Sequence, residues 1–281
     1  MRSEELSNNK DNGSNNPCLG IQNLSVNIGG QTLLDQVTFS IPHQKITTII
    51  GANGAGKSTA LKAIMGDIQI TQGAIEFHNT SIENLRQKLA LAKNIAHLSQ
   101  FSSLNFPFTA YEVVKLGRMP HETGEKIDDE ITQQCLSALD ISELQNSLYP
   151  LLSGGEKQRV QLARVLAQVW RHEDSLELAD GSKSRLLILD EPCSSLDLGH
   201  QQQFMQLLTQ LSQQQMTVLL VKHNLNTAAN YSDYLIGLKQ GKLICEGSPE
   251  QIINKSTIHD LFGIDCQIVE NPQTGMPNVL E

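Results

Sequence analysis

An α/β fold with a mainly parallel sheet, interrupted by a helical insert, is the architecture this sequence predicts. Three observations predict it. Apolar runs of strand length recur along the chain, at Ile46–Ile50, Leu186–Leu189 and Val218–Val221. Segments with apolar residues three and four apart, the helical spacing, alternate with such runs, and that alternation argues for parallel strands joined by helices. From residue 101 to about 171 the strand signal stops and the pattern turns helical, so an insert interrupts the core.

The elements follow in order. Residues 1–17, MRSEELSNNKDNGSNNP, are polar and rich in Asn, lack the apolar middle of a secretory signal, and read as a disordered tail. LGIQNLSVNI alternates as a strand does, and Gly29-Gly30 then turns the chain. Val37–Ile41 reads as a second strand, and after Pro42 comes the apolar strand Ile46–Ile50. A glycine-rich loop follows, and a helix starts near Lys57. Residues 73–77 and 94–98 read as strands. Within the insert, Ala110–Leu116, Asp128–Leu139 and Gly154–Trp170 carry helical spacing. Beyond it come Arg185–Leu189, a helix over 198–214, Thr217–Val221, a helix over 224–230, Tyr234–Leu238 and Lys242–Cys245. The segment from about Ile268 has two prolines and weak patterning, and the sequence assigns it no element.

Composition narrows the function. A length of 281 residues suits one large domain or two small ones. A formal charge of -9 argues against a broad nucleic-acid surface. No apolar run approaches the roughly 20 residues that cross a bilayer, so a cytosolic chain is expected, with membrane attachment through a partner. The five cysteines, Cys18, Cys135, Cys193, Cys245 and Cys266, are odd in number and include no CxxC pair. Reduced thiols, with no metal site built on them, are the expectation.

Three motifs carry chemistry. Gly51, Ala52, Asn53, Gly54, Ala55, Gly56, Lys57, Ser58 and Thr59 satisfy G-x-x-x-x-G-K-[ST]. Glycines let such a loop curl several N–H groups around one anion, and the following helix aims its positive end at the same point. Lys57 can reach the β- and γ-phosphates, and the Ser58 hydroxyl can ligate Mg²⁺. A chance glycine turn is the bland alternative, and the strand before the loop and the helix after it disfavour it. The second motif, LLILDEP over 186–192, ends an apolar strand on two acids. Ligands sit beyond the carboxyl ends of such strands, so Asp190 would hold Mg²⁺ and Glu191 would polarise the attacking water. Alone, this motif is equally a helix cap or a surface turn. The third motif is Leu152-Ser153-Gly154-Gly155-Glu156, opening a long helix. Capping accounts for Ser153 but not for two glycines, which weaken helix starts. The segment reads as a second anion site, facing the γ-phosphate held by a second copy of the chain.

These three motifs, in this order, resemble the ABC transporter ATPase family, and the resemblance spans nearly all of residues 20–262. It implies an ATPase (phosphate-loop NTPase) core over 18–265 with a mainly parallel sheet. To this it adds an N-terminal antiparallel β subdomain, a helical subdomain at about 101–171 and a C-terminal tail over 266–281. It implies ATP and Mg²⁺ as cofactors. It gives Gln100 the role of sensing Mg²⁺ and the attacking water, Asp197 that of crossing a dimer interface, and His223 that of contacting the γ-phosphate. Singly, a Gln at a strand end or a His after a strand is ordinary; position within the family pattern singles these out. Three residues depart from the family pattern. Ile28 stands where an aromatic often stacks on adenine, Asn224 replaces a common Asp, and Cys193 replaces a common Thr.

The segments over 106–121 and 148–170, with Asp197–Gln201, are similar to importers of iron chelates and corrinoids, and nearest to their haem (hemin) branch. A polar insert, Arg171–Ser184, adds to that likeness. The implied protein works on the cytoplasmic face of the bacterial inner membrane, as a pair of copies bound to a membrane-spanning permease dimer. It meets a periplasmic substrate-binding protein only indirectly and binds no nucleic acid. A ferric siderophore or cobalamin importer is the alternative. A soluble non-transport ABC ATPase is disfavoured because this chain joins no second cassette and carries no long coiled coil.

Overall fold

The computed structural model describes residues 17–82, 89–99, 106–170 and 185–280. Expectations for the first sixteen residues, for Gln100 and for the insert at 171–184 lie outside the described residues.

The chain opens with β1 (Leu19–Ile28), β2 (Gln31–Ile41) and β3 (Ile46–Ile50), followed by α1 (Lys57–Met65), β4 (Gln72–Phe77) and the short β5 (Thr80–Ser81). α2 (Leu89–Asn94) and β6 (Ile95–Leu98) lead into the helical part, α3 (Ala110–Lys115), α4 (Glu125–Ala138) and α5 (Gly154–Val169). The second half alternates: β7 (Arg185–Asp190), α6 (Leu198–Ser212), β8 (Met216–Val221), α7 (Leu225–Tyr231), β9 (Tyr234–Lys239) and β10 (Lys242–Gly247). It closes with α8 (Pro249–Ile252), α9 (Lys255–Phe262), β11 (Gln267–Glu270) and β12 (Pro277–Leu280).

Six strands form the main sheet in the order β10-β9-β3-β8-β7-β6. All neighbours are parallel except the edge strand β10, which runs antiparallel to β9. Every residue of β3, β7 and β8 is buried. Burial on both faces requires nearly continuous apolar strands, as RLLILD and MTVLLV show. The two-residue period then divides each strand between two cores. Leu187, Leu189, Val218 and Leu220 pack with α5, α6 and the insert helices. Leu186, Ile188, Leu219 and Val221 pack with α1 and the antiparallel sheet β2-β1-β4-β5. The main sheet is thus clamped between the helical insert and the antiparallel layer.

β2 begins six residues before the strand read from sequence. Gln36, at φ 51, sits among register shifts in the β1–β2 pairing. The resulting bulge breaks the alternation that would have revealed residues 31–36 as strand. The unplaced C-terminal segment also has a structure. β11 and β12 pair antiparallel, and Val279 enters a small core with Ile50, Ala229, Leu235 and Leu261. Asn226 of α7 grips that hairpin from the side: its Oδ1 accepts from Val279 N–H (2.7 Å) and its amide donates to Val279 O (3.1 Å). No described helix is long and apolar enough to cross a membrane.

Candidate active site

The carboxyl ends of β3, β7 and β8 lie side by side in the sheet, so the residues that follow each strand converge. After β3 comes the loop 51–56. Gly51 is at φ 148, and a Cβ there would lie 2.2 Å from Leu238 O. Only glycine passes so close to the neighbouring strand. The α1 cap, Gly56, offers no side-chain hydrogen bond, so the first N–H groups of α1 remain directed into the cleft. Lys57 is buried, and its ammonium donates to Gly51 O (2.8 Å) and Ala52 O (3.0 Å). Burial pushes its pKa down, while the carboxylates of Glu191 and Asp190 oppose that shift.

After β7 come the two acids. Asp190 is buried, and burial pushes its carboxyl above the usual range, against a hydrogen bond from Ser58. Its Oδ1 has no hydrogen-bond partner. A buried carboxylate oxygen without a partner, beside a serine hydroxyl, is the hard oxygen donor set that Mg²⁺ takes. The described residues therefore fit the expected ion, with Ser58 and Asp190 as donors. Glu191 takes the left-handed conformation at φ 50, which costs on the order of 1–3 kcal/mol in a non-glycine residue. Its N–H donates to Val221 O (3.2 Å), and its carbonyl accepts from Ser194 N–H (3.2 Å), so the turn is held from both sides. Beyond the end of β8, His223 Nε2 pairs with Glu191 Oε1.

One cleft of 650 Å³ is lined by Asn53–Thr59, Glu191 and His223. Its other wall is Gln31, Thr32 and Leu33 of β2 with Gln240 from the β9–β10 turn. Sequence patterning missed these four. The Gly241 N–H of the same turn donates to Ala55 O (2.9 Å), which braces the phosphate loop. Among the described residues Ile28 does not line the cleft, nor does any Phe, Tyr or Trp. Sequence reading also missed His97 of β6, whose charge acts on Asp190 and whose own pKa is pushed down by burial.

Ser153, Gly154, Gly155 and Asp197 do not line this cleft. Ser153 caps α5 in a reciprocal box: its N–H donates to Glu156 Oε2 (2.7 Å), and its hydroxyl accepts from Glu156 N–H (3.4 Å). A Cβ on Gly154 would meet nothing within 4 Å. No described residue asks for glycine there. Asp197 caps α6, accepting from His200 N–H (2.9 Å) and pairing with His200 Nδ1 (2.8 Å). Asn224 caps α7 through its Oδ1 (2.8 Å to Thr227 N), a bond that Asp would make equally well. That departure from the family pattern therefore costs no cap.

The chain is similar to known proteins over most of its length. The chain is 39% identical over 262 residues to the hemin import ATP-binding protein HmuV of Photobacterium damselae subsp. damselae, covering 93% of this chain and 95% of that one. It is 37% identical over 263 residues to the protein of the same name from Escherichia coli O157:H7, covering 93% and 98%. A solved ATP-binding subunit of an ABC transporter superposes with a TM-score of 0.72 at 23% identity, covering 88% of this chain and 95% of that one. The sequence profile of the ABC transporter family matches residues 34–194, the stretch that carries the phosphate loop, the Ser153 segment and both acids, and the chain belongs to that family.

Proposed function

We propose that this chain is the ATP-hydrolysing subunit that energises a haem (hemin) importer at the cytoplasmic face of a bacterial inner membrane. The observation that carries hydrolysis is the meeting of Lys57, Asp190, Glu191 and His223 around one helix-capped loop. The substrate rests on the hemin import relatives, which match over 93% of the chain.

The nucleotide phosphates lie on the loop Gly51–Thr59. Lys57 exchanges its two carbonyl contacts for the β- and γ-phosphate oxygens, which are stronger, charged acceptors. Ser58 and Asp190, with Gln100, would hold Mg²⁺, which would neutralise phosphate charge when bound. Glu191 accepts a hydrogen bond from the attacking water, and His223 orients Glu191 through their pairing. The water oxygen attacks the γ-phosphorus as the bond to ADP breaks, giving ADP and phosphate. Positioning and charge stabilisation supply most of the acceleration.

The site is half of a composite. Ser153, Gly154 and Gly155 of a second copy, with its Asp197, cover the γ-phosphate. In support, Gly154 faces open space and Ser153 is exposed. Two copies closing on two ATP molecules shift the insert helices, which act on a membrane-spanning permease dimer. A periplasmic binding protein delivers haem to that permease without touching this chain.

Uptake by cells lacking the chain tests the substrate, with haem, a ferric siderophore and cobalamin each supplied alone. Growth on haem should fail while the other two are used normally. Normal haem uptake with failed siderophore or cobalamin uptake would move the assignment to that alternative.

A further inference from the structure

We propose that Cys18, His43 and His78 form a binding site for a single metal ion of the zinc(II) class, at the end of the antiparallel sheet remote from the nucleotide cleft. One ligand atom from each residue lies within 4.8 Å of the other two. The sequence hides this site because its ligands are scattered along the chain and lack the short pairing that marks a zinc motif.

The sheet order β2-β1-β4 brings them together. Cys18 immediately precedes the central strand β1. Its N–H donates to Ile41 O at the end of β2 (2.9 Å), and its carbonyl accepts from His78 N–H beyond the end of β4 (3.0 Å). In the ladder, Leu19 faces Ile41 on one side and Phe77 on the other, so the next step down sets His78 opposite Cys18. His43 follows β2 by two residues. His78 and Asn79, at φ 48 and 58, make the tight two-residue turn between β4 and β5. The His78 ring packs edge-on against Phe77 (4.2 Å, 74°) and lies 4.8 Å from the His43 ring, tilted by 34°.

The donor set selects the ion. One thiol and two imidazoles suit a borderline-soft cation, and among the described residues no carboxylate joins them to favour Mg²⁺ or Ca²⁺. Zinc bonds of about 2.3 Å to sulfur and about 2.0 Å to nitrogen set tetrahedral ligands roughly 3.5 Å apart. Side-chain rotations of about 1 Å would close the observed spread to that value. Cys18 and His78 are buried, while His43 is partly open, giving the ion an entry path. Water completes the fourth position. On binding, the Cys18 S–H proton leaves to solvent, the thiolate and two neutral imidazoles donate electron pairs, and no group is oxidised or reduced.

The ion would tie together three strand ends. β1 runs ten residues, on the order of 33 Å, from this end to the hairpin where β2 enters the cleft. Its expected effect is on stability rather than on hydrolysis.

Co²⁺ and Zn²⁺ titration of the purified full chain, without nucleotide, tests the site. We expect one Co²⁺ per chain with thiolate-to-cobalt charge-transfer absorption, displaced by Zn²⁺, and a Tm raised by Zn²⁺. Cys18→Ser removes the absorption. His43→Ala weakens Co²⁺ binding by at least about tenfold, leaves ATP hydrolysis unchanged and abolishes the Zn²⁺-induced rise in Tm. Cys266→Ser changes none of these. A missing charge-transfer band overturns the site, as does a band that survives Cys18→Ser. Should Cys18→Ser misfold, the partly exposed His43 decides: unchanged Co²⁺ affinity in His43→Ala overturns the proposal.

Discussion

Two helix starts, each bare of side chain at its first glycine, behave in opposite ways in this molecule. α1 opens on Gly56 with no cap, above a lysine forced to bond loop carbonyls and an aspartate oxygen with no partner. α5 opens on Ser153 with a complete capping box and is exposed at Gly154. The first site buries a lysine ammonium, together with a carboxylate oxygen that no described residue partners. The second satisfies its own cap yet keeps a glycine that no internal contact explains. The proposal of a catalytic unit shared between two copies rests on that difference.

The largest expected effect breaks the comparison directly. Lys57→Ala removes the charge on the phosphates, and Gly154→Glu sets a carboxylate where the partner's γ-phosphate would lie. Each variant alone, in the transporter complex, should lose hydrolysis by about 10²-fold or more. Gly154→Glu should fold normally, because a Cβ there meets nothing within 4 Å. Mixed together, the two variants form pairs in which one composite site is intact. Random pairing would then restore up to about a quarter of the wild-type sites. A mixture as inactive as its parts would show that the α5 start does not serve a partner's nucleotide.

Asp190→Asn sharpens the unfinished half. Burial holds the Asp190 carboxyl above its ordinary value of 3.8, so its favourable contribution exists below that value and is lost as pH rises through the folded-state pKa. The ionised form, with one buried oxygen lacking a partner, is the form that burial disfavours. Asn keeps the shape and an acceptor for Ser58 without the charge. Asp190→Asn should therefore raise Tm at pH 7, with the gain shrinking toward pH 4, while hydrolysis is lost. A lower Tm at pH 7 would mean that Asp190 is structural.

The same contrast explains what the sequence could disclose. The phosphate loop, the Asp190–Glu191 pair and the Ser153 segment are runs of neighbouring residues whose chemistry is local, so their occurrence together and in this order singles them out in the sequence. His223 was legible only through family pattern, and its pairing with Glu191 depends on β7 and β8 lying side by side. Gln31–Leu33 and Gln240 stayed hidden because two hairpins bring them to the cleft from distant positions. The bulge at Gln36 concealed half of β2. The β11–β12 hairpin stayed illegible because α7 holds it mainly through the side chains of Asn226 and Asn230, with Val279 its one buried residue, which leaves no hydrophobic period. Cys18, His43 and His78 share that reason: only the ladder brings them together.

The smallest effect separates capping from contact at α5. Ser153→Ala and Glu156→Ala each remove one side of the capping box, and each should cost about 1 kcal/mol, a few degrees in Tm. Only Ser153→Ala also removes a hydroxyl that would face the partner's γ-phosphate. The two variants should then match in Tm but differ in the KM for ATP, with Ser153→Ala raised and Glu156→Ala close to wild type. Equal KM values would reduce Ser153 to a helix cap and leave Gly154 as the sole reason to bring a second copy to this surface.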